Sequence, residues 1–128
     1  MRILIALLLL APLALVADDA TRIEFDPPTE REDGTALDPA TEIEEYRLYC
    51  RYQDATEFSG DEVLVIPGLT ETGEHPTTYA EFLPEPGVYD CALTAVDTGG
   101  RESRHSDIAE IEWIARPGQP TNVIIVTE

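Results

Sequence analysis

The chain predicts an all-β domain, a two-sheet immunoglobulin-like sandwich of about seven short strands. Apolar and polar residues alternate in short runs from residue 21 onward. Clusters of Pro, Gly and Asp cut these runs at intervals that suit turns between strands. No stretch keeps a helical period through three turns. With 128 residues, the chain has room for one domain and a modest core.

The elements follow in order. Arg2, the apolar run 3–16 and Ala17 before the acidic pair Asp18-Asp19 make a secretory leader over residues 1–17. The apolar run is shorter than the roughly 20 residues a bilayer span needs, so the mature chain is expected to start near Asp18 without membrane insertion. Ile23 and Phe25 alternate before the breaker Asp26-Pro27-Pro28, and residues 29–39 are an acidic loop. Tyr46, Leu48, Cys50 and Tyr52 alternate with Arg47, Tyr49 and Arg51, the strongest strand pattern in the chain. Short strands follow at 63–66 and 77–83, ended by Pro67-Gly68 and Pro84. Residues 88–96 form a second long strand with Tyr89, Cys91, Leu93 and Ala95 on one face. The turn 97–104 contains Gly99-Gly100, which adopt positive φ at little cost. Residues 108–114 alternate again, with Trp113 on the inner side. Pro117 to Pro120 bend the chain before Val123, Ile124, Ile125 and Val126.

Charge excludes several functions. Eight basic residues, all arginine, face 26 acidic ones, for a net charge of −18. Binding to nucleic acid or anionic lipid draws on many cationic contacts, so neither partner is expected. Such an excess of acid suits a soluble secreted surface or a saline habitat. Cys50 and Cys91 are the only cysteines, and an oxidising compartment makes a disulfide their default state. A single antiparallel register supports it: with Cys50 opposite Cys91, Tyr46 faces Ala95, Leu48 faces Leu93 and Tyr52 faces Tyr89. Tyr89, two residues before Cys91 and just after Pro86-Gly87, stands where sandwich domains carry a tyrosine whose hydroxyl bonds back to the backbone.

Residues 22–114 resemble a fibronectin type III domain. Ile23-Glu24-Phe25-Asp26-Pro27-Pro28 is similar to the family's second strand, and Glu45-Tyr46-Arg47-Leu48-Tyr49 to its third. Leu83 to Tyr89 resembles the join of the fifth and sixth strands, and Ala95 to Ser103 the turn after the sixth. The resemblance implies a domain over 18–116 that binds or spaces other molecules and does not catalyse. It points to Asp97, Thr98, Gly99, Gly100, Arg101 and Glu102 as a candidate interaction loop. The Arg-Gly-Asp of adhesive family members is absent, so integrin binding is not implied.

The residues with chemical potential do not form a site on paper. Ser103, His105 and Asp107 have the residue types of a hydrolase triad, but they crowd one turn, whereas nucleophile, base and orienting group normally come from separate elements. His75 and His105 read as exposed loop histidines, and with the cysteines paired no zinc set remains. Glu30, Glu32, Asp33, Asp26, Asp38, Glu42, Glu44 and Glu45 offer oxygens for calcium, yet lack the spacing of a recognisable loop site. The expectation is therefore a secreted or periplasmic interaction module, without a cofactor, for a protein or glycan at a surface, envelope or virion. The alternatives are an accessory subunit of an extracellular hydrolase and a structural subunit. The last depends on residues 121–126, which resemble a type III first strand, while few residues precede 21. The simplest expectation places this segment on the vacant edge beside residues 21–25 as a permuted first strand. It could instead pair with a neighbouring molecule or remain a free tail.

Overall fold

The computed structural model of the chain describes residues 20–58, 60–70 and 72–128, so the predicted leader lies outside the described residues. Among the described residues, six strands and two single-turn helices occur in the order β1 (Ala20–Glu24), α1 (Pro39–Glu42), β2 (Ile43–Tyr52), β3 (Leu64–Pro67), β4 (Glu74–Thr78), α2 (Tyr79–Phe82), β5 (Gly87–Asp97) and β6 (Ala109–Trp113). They form two antiparallel sheets, β1-β4 and β3-β2-β5-β6. This is an all-β sandwich.

The hairpin-like pair of β2 and β5 is its spine. Tyr46, Leu48, Cys50 and Tyr52 stand opposite Ala95, Leu93, Cys91 and Tyr89, the register the alternating pattern predicts. Glu44 accepts the Gly68 N–H at 3.0 Å, and the Gln53 N–H donates to the Val88 carbonyl at 3.1 Å. From Glu44 onward, even-numbered backbone groups of β2 thus serve β3 and odd-numbered ones serve β5, whereas before the register shift at 43–45 the Ile43 carbonyl accepts the Leu69 N–H. Cys50 and Cys91 form a non-hydrogen-bonded pair, the closer kind in an antiparallel ladder, with Cα atoms 4.1 Å apart and the disulfide formed.

Inward side chains make two joined clusters. Leu48, Phe82, Leu83, Tyr89 and Cys91 form one, and Leu37, Ile43, Tyr46 and Ile66 the other, with Ile23 of β1 packed against both. Burial of such a side chain contributes roughly 1.5–3 kcal/mol. Tyr89 is 2% exposed; its hydroxyl donates to the Glu85 carbonyl at 2.6 Å and its ring stacks on Tyr52. At Gly73 the chain crosses so close to Phe25 that an added Cβ would strike the Phe25 carbonyl, which restricts the position to glycine.

Three expectations are corrected. The strand read at 77–83 is in fact the end of β4 followed by α2, because Glu81 reaches back to accept the Thr78 N–H at 3.0 Å and closes a helical turn. His75 lies within β4 opposite Ile23, not in a loop. Residues 117–128 join no ladder and are exposed throughout, so Val123 to Val126 do not fill the edge beside β1 of their own chain. The topology gives the reason. β6 ends opposite Gly87, at the end of the sandwich where β1 begins, so a tail folding back would run parallel to β1, the weaker pairing.

Candidate interaction site

Three connections meet at the end of the sandwich where β1 stops and β2 starts: residues 25–42, the described residues 68–70 and 72–73, and the turn after β5. Local chemistry shapes the first. Asp33 accepts the Thr35 N–H at 3.0 Å and the Thr35 hydroxyl at 2.7 Å, and the Thr35 N–H holds its carboxyl below the ordinary value. An isolated bridge between Glu30 and Ala36 closes the small hairpin around it. Asp38 caps α1, accepting the Ala40 N–H at 3.0 Å, and Pro39 suits the first helical position. Glu42 accepts the Asp38 N–H at 2.8 Å in return.

The turn after β5 is fastened to this loop through Asp97. The Asp97 side chain is 5% exposed. It accepts the N–H groups of Gly99 at 3.0 Å and Arg101 at 2.8 Å, and pairs with Arg101 Nε and Arg31 Nη1, each at 2.9 Å. The Arg101 N–H and then the Arg31 guanidinium hold its carboxyl far below the usual carboxylate range. Arg31 also reaches Glu42 at 3.3 Å. Gly100 completes the turn at φ 85°, in the left-handed region.

Glu102 is likewise engaged, although it lies at the surface. It accepts the Tyr49 hydroxyl, the Thr94 hydroxyl at 2.7 Å and Arg47 Nη1 at 3.3 Å. The Tyr49 hydroxyl is the chief cause of its lowered pKa. Of the six loop residues singled out from sequence, Asp97 and Glu102 therefore hold the loop together, while Thr98, Gly99, Gly100 and Arg101 face solvent. Between this turn and the acidic loop lies a groove of about 310 Å³, floored by Leu37 and Ile43 and flanked by Arg31 and Arg101. Sequence reasoning missed the groove, because the 31–97 pairing spans 66 residues and nothing local announces it.

The residues of the would-be triad have other employment. Ser103 Oγ accepts the Ala95 N–H at 2.9 Å and donates to the Arg104 carbonyl at 2.9 Å. Ser106 Oγ does the same for Leu93 and Asp107. Both hydroxyls complete the edge of β5 where the chain has not yet entered β6. The His105 ring is exposed but not loose: it packs against Tyr49 and Phe58, each with centroids 5.0 Å away, and Arg51 lies 4.5 Å over Phe58. Among the described residues, no group of three His, Cys, Asp or Glu side chains is placed to hold a metal ion, and no helix is long and apolar enough to cross a membrane. No known protein family, curated protein or solved structure matches the chain.

Proposed function

We propose that the protein is a secreted, non-catalytic interaction module of the fibronectin type III kind, and that it binds a protein or glycan with the end of the sandwich described above. The strand order supports the family. The strands resembling the second and fifth of a type III domain share one sheet, and those resembling the third and sixth share the other with β6, the division expected of immunoglobulin-like sandwiches. The leader expected over residues 1–17 and the Cys50–Cys91 disulfide favour an extracellular or periplasmic setting.

One observation carries the binding role. The buried carboxylate of Asp97 locks two connections 66 residues apart into one surface, yet leaves Thr98 to Arg101 exposed on it. Loops fixed by a rigid scaffold lose little entropy on binding, which is why recognition so often resides there. Ser103 bonded to backbone on both sides offers no activated nucleophile.

The test is a photocrosslinking residue placed at Thr98, with a control at Asp54 on the opposite end, in protein returned to its native secreted fraction. One stoichiometric adduct from Thr98, absent from Asp54 and weakened by Arg101→Glu, is expected. Adducts from Asp54 alone, or equal adducts from both, would contradict the assignment of the binding end.

A further inference from the structure

We propose that residues 121–127 of one copy add as a third strand to the outer edge of β1 in a second copy, joining chains head to tail. The acceptor is an open strand edge. The Phe25 N–H donates to the Gly73 carbonyl at 2.8 Å, continuing the β1–β4 register. Backbone groups alternate along a strand, so those of Thr21 and Ile23 also serve β4, and those of Arg22 and Glu24 point outward. Among the described residues no strand pairs with that edge. The other edge of this sheet is blunted, because Pro76, opposite Arg22, has no N–H to offer on the outer side of β4.

β6 of the larger sheet is also only partly covered. Strands lie about 4.8 Å apart, so two strands cover only part of a four-stranded sheet. Ile111 and Trp113 of β6 are half-buried, with Trp113 against Tyr79 of α2 at 5.8 Å between ring centroids, and Ala109 is exposed. A third strand next to β1 would widen the smaller sheet and cover more of the larger one.

The donor fits in composition, length and direction. Val123, Ile124, Ile125 and Val126 are 74%, 78%, 91% and 69% exposed, a run that natural edges avoid leaving free. Residues 117–127 contain no charge in a chain of net −18, so this is the segment that can approach a second copy against the repulsion. With four consecutive aliphatics, two face inward in either register. The tail leaves the end opposite the loops, so entering a neighbour from its loop end it runs antiparallel to β1, the stronger mode. Such a contact is heterologous and does not close on itself, which gives open chains and not a symmetric dimer.

Light scattering coupled to size exclusion tests this on the purified, disulfide-bonded protein. The mass of the wild-type chain should rise with concentration, and deletion of residues 121–128 should leave a monomer. Arg22→Pro removes an outward N–H without touching the β4 ladder and should also leave a monomer. Mixed together, the two variants should form a one-to-one dimer and stop, since one supplies only a tail and the other only an edge. Should Arg22→Pro fail to fold, a synthetic peptide of residues 117–128 added to the tail-deleted protein replaces it. That peptide should slow amide exchange at Arg22 and Glu24 by about tenfold or more. A wild-type chain that stays monomeric, assembly that survives tail deletion, or a folded edge that ignores both donors would overturn the proposal.

Discussion

Two tyrosines, each 2% exposed, illustrate how the same residue type stabilises or burdens a core. Tyr89 donates its hydroxyl to Glu85, whereas the Tyr46 hydroxyl is buried with no hydrogen-bond partner among the described residues, and burial raises its pKa. Tyr89→Phe should therefore cost about 1 kcal/mol in urea unfolding, and Tyr46→Phe should be neutral or stabilising by up to about 1 kcal/mol, since a buried polar group without a partner is the expensive case. Equal losses for both would show that the hydroxyls do not differ in this way. Asp97 makes a prediction about pH. Its folded pKa is depressed, so its contribution is complete above the ordinary carboxylate value of 3.8 and fades as pH falls through the folded value. Loss of acidic self-repulsion works in the opposite direction over the same range, so the informative quantity is the difference between wild type and Asp97→Asn. The variant should melt several degrees lower at pH 7, and the gap should narrow below pH 4; a gap independent of pH would refute the charge-based role.

At the scale of elements, β2 and β5 were legible in the sequence because apolar residues recur at every second position and the paired cysteines pin one register, even though Ala92, Thr94 and Val96 on the other face of β5 are buried as well. Residues 77–83 were misread for a physical reason. Tyr79 and Phe82 mimic strand residues, while the Thr78-x-x-Glu81 capping pattern was available as the contrary signal. The tail reads as a strand in composition, yet residues 117–128 join no ladder, since β-propensity only describes a surface fit and does not supply a neighbour. The disulfide clamps the two central strands across a sequence separation of 41. Chain entropy for a loop of that length gives roughly 4 kcal/mol. Replacing both cysteines by alanine should lower the unfolding free energy in urea by an amount of this order and raise the m-value, because the unfolded chain without the cross-link exposes more surface. A loss near zero would mean that the ladder alone fixes the register.

For the whole molecule, the fold class followed from local pattern, but the shape of the candidate site did not. Asp97 to Arg101 announce a turn through Gly99-Gly100, and the acidic loop announces itself by composition; their union through Arg31 is a tertiary event with no sequence signature. The carboxylates of the acidic loop shape the loop itself. Asp33, Asp38 and Glu42 already accept hydrogen bonds from Thr35, Ala40 and Asp38. The central claim is that the locked loop end, and not the opposite end, receives the partner. Amide hydrogen exchange on the complex captured through Thr98 measures this most directly. Protection gained at residues 29–37 and 97–104, with residues 53–58 and 84–87 unchanged, is the predicted result; protection confined to 53–58 and 84–87 would contradict it.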